Sequence, residues 1–304
     1  MIYDSIVIGA GPSGMSACLY LLRAGKSVLL IEKEGIGGQI ALSPRLENYP
    51  SIVSISGSEF ADNLFTQITN LGVVFEFGEV KKLVKEGKGN FSVITDYETF
   101  KGKSVILATG CSHRCLNVPG EKELTGKGVS YCAVCDGAFY TGKEVLLIGD
   151  ANTALQYAIS LSAICTKVHV VTLFDHFFAD KILQERLLAL PNVAVTHELN
   201  CTKLEQSGEK IISTFEDKKN GGIVNFSSDG VFVAIGQIPH NEAFGDLLEL
   251  QRGFIVTNDK METKTSGVYA CGDCRKKDVR QVITATNDGA IAATMCQGYL
   301  QGLA

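Results

Sequence analysis

The 304-residue chain contains no tryptophan and only 6 prolines and 5 histidines. It has no low-complexity tract and no short repeat, which excludes a solenoid or other repeat array. It also lacks a basic surplus. Its 28 Lys and Arg against 33 Asp and Glu give a net charge of -5, the wrong sign for a nucleic-acid binder, which needs a basic surface. With 20% charged and 45% hydrophobic residues, it is an ordinary globular chain rather than a disordered, collagen-like or coiled-coil one. The five histidines form no recognisable nucleophile–base pair and receive no catalytic role. Long apolar runs are scarce. Ser5 to Leu22 are eighteen residues without a charge, but Gly9, Gly11, Pro12 and Gly14 interrupt them and no basic segment precedes them. Neither a targeting segment nor a membrane span is expected.

Glycine and cysteine are plentiful: 32 and 10, the cysteines at 18, 111, 115, 132, 135, 165, 201, 271, 274 and 296. A chain of about two domains needs no disulfide scaffold, so several of these are expected as free thiols in a reducing cytoplasm. The chain reads as two strand–helix–strand units. Ser5 to Ile8 is an apolar strand, a glycine turn leads into a helix carrying Ala17, Cys18, Leu21 and Leu22, and Ser27 to Ile31 is the next strand. Further strands are expected at Gly72 to Phe77, Phe91 to Thr95 and Ser104 to Ala108. The pattern restarts with a strand at Lys143 to Ile148, a helix at Asn152 to Ser162 and a strand at Lys167 to Thr172. Strands follow at Val193 to Thr196, Ile211 to Phe215 and Val231 to Ile235, and a helix at about Thr284 to Gln297 closes the chain. Two turn fingerprints among alternating strands and helices indicate an α/β architecture with two related domains.

Gly9-Ala-Gly11-Pro12-Ser13-Gly14 falls between a strand and a helix, where backbone N–H groups can face a pyrophosphate. Glu32 stands 21 residues beyond Gly11, at the end of the next strand, placed to accept from a ribose hydroxyl. Cys132-Ala-Val-Cys135-Asp136 has the spacing of a reversible disulfide, with a carboxylate beside it to move the proton that exchange requires. Its alternatives are a zinc half-site, completed by Cys271 and Cys274 with Cys111 and Cys115 as a looser pair, or unpaired structural thiols. An adjacent dinucleotide site favours redox use, because a dithiol beside a flavin is a two-electron relay.

The whole chain resembles the low-molecular-weight thioredoxin reductases, in Gly9 to Gly14, Glu32-Lys33, Gly37-Gly38-Gln39, Glu47 to Pro50, Ala108-Thr109-Gly110, Pro119 to Glu121, Cys132 to Asp136, Gly272-Asp273 and Arg280 to Ala285. The resemblance implies two Rossmann-like FAD/NAD(P)-binding domains, the second inserted in the first. Residues 1–112 and 243–304 would bind FAD, and 113–242 would carry the dithiol and a degenerate NADPH-like unit. It also implies FAD contacts from Gly9, Gly11, Pro12, Ser13, Gly14, Glu32, Lys33, Gly38, Gln39, Asn48, Val80, Ala108, Thr109, Gly110, Gly272, Asp273, Arg280, Gln281 and Val282. Cys135 would exchange electrons with the flavin, Cys132 would attack the substrate disulfide, and Asp136 would be the acid/base. Cys271 and Cys274 are then small buried residues rather than ligands. A homodimer, and rotation of the inserted domain about hinges near Cys111 to Val118 and Ile238 to Phe244, are implied as well.

The second unit departs from the family. Its turn reads Gly149-Asp150-Ala151-Asn152-Thr153-Ala154, with a methyl where the family has a glycine and a carboxylate where a phosphate would dock. Leu173, Phe174 and Phe178 occupy the positions of the three arginines that grip a 2'-phosphate, and Thr172 stands where NAD would want an acid. In this respect the chain is similar to the ferredoxin-dependent flavin thioredoxin reductases. Ferredoxins are usually acidic, so a basic docking patch is expected in Cys271 to Gln281, where Arg275, Lys276, Lys277 and Arg280 outnumber Asp273 and Asp278. The expected activity is FAD-dependent reduction of thioredoxin with electrons from ferredoxin, without metal, nucleic acid or membrane. The alternatives are a small-molecule dithiol oxidase using dioxygen, an NADPH-thioredoxin reductase with a degraded pocket, and a flavin-bound sensor or thioredoxin-binding module.

Overall fold

A computed structural model describes residues 1–43 and 45–303, so that Ala304, the expected end of the first domain, lies outside the described residues. The chain forms two compact units: Met1–Ser112 with residues 238 onward, and His113–Gln237.

In the first unit, five parallel strands run in the order Val268–Ala270, Val105–Leu107, Ser5–Ile8, Val28–Glu32 and Val74–Phe77. Their apolar runs suit a parallel sheet covered on both faces, and alternate side chains serve opposite faces. Val7, Leu30 and Ile106 pack with Ala17, Cys18 and Leu21 of the helix Pro12–Arg23 and with Ala292, Ala293 and Cys296 of the helix Val282–Gln301. Ile6, Leu29, Leu107 and Val268 pack instead against Leu83, Phe91, Val93 and Phe244. Leu83, Phe91 and Val93 belong to a second sheet of Ile2–Tyr3, Thr99–Gly102, Asn90–Thr95 and Val80–Gly87. The helix Gly57–Asn70 begins at Ser56, whose hydroxyl accepts from Glu59 N at 3.1 Å.

The second unit repeats the plan. Its parallel strands run Val129–Ser130, Gly230–Val233, Glu144–Ile148, Lys167–Val171 and Val193–Thr196. Val145, Leu147, Val168 and Val170 bury against Ala154, Leu155, Ala158 and Leu161 of the helix Asn152–Ser162. Leu146, Ile148, Val171 and Val231 face Leu204, Ile211 and Phe215 of an antiparallel sheet, Leu199–Ser207, Lys210–Asp217 and Ile223–Ser228.

The boundary expected between 242 and 243 moves to between Gln237 and Ile238. The reason is Asn241. Buried at 1% exposure, it accepts from Thr109 Oγ1 at 2.8 Å and donates to the carbonyls of Gly253 and Cys274, both at 2.9 Å. All three partners lie in the first unit.

Candidate functional site

Parallel α/β sheets present their binding residues at the carboxyl ends of the strands. In the first unit these ends lead to Gly9, Glu32, Ala108 and Cys271, fixed in register by Gly9 N to Ile31 O at 2.8 Å, Ala108 N to Ile8 O at 2.8 Å and Cys271 N to Leu107 O at 2.9 Å.

The glycine turn separates two demands. A Cβ on Gly14 would sit 1.9 Å from Gly9 O, and Gly9 itself has φ +107° with Ala108 O 2.3 Å from its would-be Cβ. These two are required by the protein's own packing. A Cβ on Gly11 would meet nothing within 4 Å, so packing does not explain that glycine. Close approach of a ligand to the backbone would. Pro12 opens the following helix, costing no needed donor and leaving the N–H groups of Ser13 and Gly14 in the first turn.

Glu32 accepts from Ala10 N and Glu34 N, both at 2.8 Å, which holds its carboxylate at the turn. Exposed Lys33 pairs with Glu34 at 3.1 Å, and half-buried Val80 opens a strand just beyond Gly78, whose N–H bonds Glu32 O at 2.8 Å. Gly38 has φ +57°, its would-be Cβ 3.6 Å from Gly11 Cα. Gln39 donates to Cys111 O, Asn48 donates to Gln281 Oε1 at 3.1 Å, and Thr109 and Gly110 follow Ala108. Gln281 caps the helix that starts at Val282. Asp273 Oδ1 and Arg280 Nε are both buried with no hydrogen-bond partner among the described residues, and burial raises the Asp273 pKa. Buried polar atoms that no protein hydrogen bond satisfies point to a polar ligand. A pyrophosphate with a ribityl and isoalloxazine group fits this set.

In the second unit, the edge strand Val129–Ser130 delivers the chain into Cys132–Cys135, which are joined as a disulfide with Cα atoms 5.3 Å apart. Cys132 caps the short helix Ala133–Asp136, its sulfur accepting from Cys135 N at 3.1 Å. Cys132 is half-buried, Cys135 exposed, and the intervening Val134 is 59% exposed. Asp136 is half-buried. Desolvation raises its pKa, and a 2.6 Å hydrogen bond from Ser130 Oγ to Oδ2 acts the other way.

Cys271 and Cys274 are fully buried, with pKa values raised by burial. Cys111 is buried too, its pKa pushed up to about 12, mainly by desolvation and then by Asp273. These are neutral thiols. Cys115 is exposed and accepts from Tyr131 OH at 3.7 Å. Among the described residues no group of three or more His, Cys, Asp or Glu is arranged to hold a metal ion.

The expected basic docking patch is not there. Arg275 donates to Asp288 from Nε at 2.8 Å and Nη2 at 3.3 Å. Lys277, 8% exposed, lies 3.0 Å from Asp288 and 3.8 Å from Asp273. Arg280 lies over the Phe254 ring, 4.4 Å from its centroid. Of the four cations only Lys276 is exposed. The charges face inward because Asp288 is buried at 2% exposure and needs them. The sequence reading missed Asp288 and Ser130. The signal for Asp288 was present, since it is the one charged residue in the twenty-residue helix Val282–Gln301. Ser130 had no such signal.

At the second-unit turn, Ala151 caps the helix Asn152–Ser162 without a side-chain hydrogen bond. Phe178 N donates to Asp150 O at 2.8 Å, which places Phe178 beside the turn. Leu173, Phe174 and Phe178 are 40%, 41% and 57% exposed, and the two phenyl rings meet edge-on at 5.1 Å. The pKa of Asp150 is raised by burial. Thr172 is buried, bonded to His197 and to Phe174 O, both at 2.7 Å.

Two nucleotide-type units, one with a flavin-compatible cradle and the other with a disulfide at a strand end, define the class of flavin-linked disulfide oxidoreductases. The model of the pyridine nucleotide-disulphide oxidoreductase family matches residues 3–289. The chain is 41% identical over 306 residues to a thioredoxin reductase of Bacillus subtilis, covering 99% of this chain and 96% of that protein. It is 37% identical over 308 residues to one of Listeria monocytogenes, covering 99% and 95%. The crystal structure of thioredoxin reductase from Streptococcus pyogenes is similar with a TM-score of 0.95 at 38% identity, covering 99% of each chain. The chain belongs to the low-molecular-weight thioredoxin reductases of this family, which are FAD flavoproteins.

Proposed function

We propose that this chain reduces a thioredoxin-like protein through the Cys132–Cys135 pair, with electrons delivered to FAD by reduced ferredoxin rather than by NADPH. The observation that carries the donor assignment is the side-chain set at the second-unit turn: Ala151 at the phosphate approach and Leu173, Phe174 and Phe178 where guanidinium groups would hold a 2'-phosphate. The reading includes a homodimer, as the resemblance implies, in a reducing cytoplasm, as the free cysteines favour.

Bound FAD supplies a carrier that takes up electrons singly and releases them as a pair. Gly9 to Gly14, Glu32, Asp273 and Arg280 to Val282 would hold it. Two electrons and two protons convert the Cys132–Cys135 disulfide into two thiols. The Cys132 thiolate then attacks the substrate disulfide, forming a mixed disulfide and releasing one substrate thiolate, which takes up a proton. Cys135, giving its proton to Asp136, attacks Cys132 Sγ. That breaks the mixed disulfide and restores the internal disulfide, and the second substrate sulfur leaves as a thiolate that takes the proton from Asp136 to become a thiol. Burial favours the protonated form of Asp136, which suits a carboxyl that must both donate and accept.

A second reading, NADPH as donor, is supported by the family description, which names a pyridine nucleotide. Thiol release from an oxidised thioredoxin, driven by reduced ferredoxin and the FAD-loaded protein, tests the proposed reading. Cys132→Ser and Cys135→Ser should each lower turnover by about a thousandfold or more, as loss of a covalent catalyst does. Turnover surviving either change would refute the dithiol route.

A further inference from the structure

We propose that Ser130 is a positioning residue for the thiol–disulfide steps, linking the backbone of Cys132 to the carboxylate of Asp136. The inference rests on the proposed role of Asp136 and adds a residue to it. Ser130 is buried at 6% exposure and is the last residue of the edge strand, aligned with Phe232 in the parallel ladder. The sheet therefore fixes its backbone, and the hydroxyl is held in place rather than carried on a mobile loop.

A hydroxyl has one proton and two lone pairs. Here the proton goes to Asp136 Oδ2 at 2.6 Å, while Cys132 N–H donates to the oxygen at 3.1 Å. The 3.4 Å contact with Cys132 O is the weaker claim on the same proton. Cys132 N–H, Ser130 O–H and the Asp136 carboxylate thus form a one-directional chain across the redox loop. Two backbone bonds brace the loop from the other side, Cys135 N and Asp136 N both donating to Cys132 O, at 3.2 and 3.0 Å.

Two consequences follow for the chemistry. The Ser130 hydroxyl engages Oδ2 at 2.6 Å and so fixes the orientation of the carboxyl group that exchanges a proton with the thiols. The same hydrogen bond favours the ionised carboxylate and works against the larger, upward effect of desolvation, so Ser130 limits how far the Asp136 pKa is raised. The neighbouring Tyr131 does not duplicate this bond, since its OH is engaged with Glu121 at 2.9 Å.

The test is a single-turnover reaction in which prereduced, FAD-loaded protein meets oxidised thioredoxin across a range of pH. It compares wild type with Asp136→Asn, Ser130→Ala and Ser130→Thr. A hydrogen bond to a charged group is worth roughly tenfold or more, so Ser130→Ala should slow the step about tenfold at neutral pH and move the Asp136 limb of the pH profile upward. The thioredoxin concentration that gives half the maximal rate should not change, and Ser130→Thr should restore both rate and profile. If Asp136→Asn is slow but Ser130→Ala leaves the profile in place, the positioning role is overturned and the role of Asp136 stands. If Asp136→Asn is as fast as wild type, the role of Asp136 fails and that of Ser130 with it. Should Ser130→Ala fail to fold, Ser130→Cys, close in size and a poor donor, carries the same comparison with the same two outcomes.

Discussion

Lys277 Nζ lies 3.0 Å from Asp288 Oδ2, an ion pair whose side chains are 8% and 3% exposed. Arg275 occupies the same carboxylate at 2.8 Å, and Gly272 N donates to it at 3.1 Å. One buried acid therefore anchors the loop that carries Asp273. Of the positive charge in that stretch, Arg275 and Lys277 are turned inward to this acid, and Lys276 alone of the four cations is exposed.

Asp288→Ala should remove the carboxylate that two cations share in a buried setting, leaving Lys277 only its 3.8 Å contact with Asp273, at a cost of about 3–5 kcal/mol. Denaturant unfolding of the apoprotein reads this directly. Flavin retention on gel filtration should fall in parallel, because Gly272 loses its acceptor. A stability loss below about 1 kcal/mol would mean that the cations are satisfied elsewhere.

The glycine turn predicts two opposite phenotypes. Gly14→Ala places a Cβ 1.9 Å from Gly9 O and should destabilise the first unit by about 1–3 kcal/mol or more, as overpacking does. Gly11→Ala meets no protein atom within 4 Å. It should leave apoprotein stability nearly unchanged while weakening FAD binding about tenfold or more, because only the ligand contests the space. Thermal melts of apoprotein and FAD titrations separate the two.

Burial raises the Asp136 pKa, so the folded state binds a proton there more tightly than the unfolded chain does. The resulting stabilisation is present at low pH and is lost as pH rises through the folded-state pKa. Asp136→Asn, whose side-chain oxygen still accepts from Ser130, should therefore gain stability over wild type at neutral pH while losing turnover. That gain should shrink as the solution is acidified toward the ordinary carboxylate range. Melts at several pH values check both signs.

The parts most legible in the sequence are those whose signal is local. Gly9 to Gly14 announces itself because strand, turn and helix require those residues at that spacing, and Cys132 with Cys135 because the disulfide closes over three residues. The helix Asn152–Ser162 has its expected bounds. The strand Val80–Gly87 was hidden by its lysines, since only Leu83 is fully buried along it. The helix Gly57–Asn70 carries a readable cap in Ser56 and a narrow apolar face of Phe60, Ala61 and Ile68 that is easily taken for loop. Asp288 and Ser130 depend on partners that the fold brings together, and so the basic loop read as a surface when it is an anchor.

If the second-unit turn fails to hold NADPH for want of arginines and a glycine, restoring them should restore binding. Ala151→Gly combined with Leu173→Arg, Phe174→Arg and Phe178→Arg should tighten NADPH binding by about tenfold or more, since each hydrogen bond to a charged group contributes about 1.5–3 kcal/mol. The four positions are exposed, so the fold should tolerate the changes. Unchanged affinity by calorimetry would place the defect elsewhere.

The electron donor is decided most directly by anaerobic rapid mixing of the FAD-loaded wild-type protein with either reduced ferredoxin or NADPH, following the flavin's visible absorbance. The account predicts bleaching by ferredoxin, with two equivalents consumed per flavin and dithiol appearing at Cys132 and Cys135 when more is supplied, and no bleaching by NADPH on the same timescale. Rapid bleaching by NADPH, at a rate sufficient for thioredoxin turnover, would contradict it.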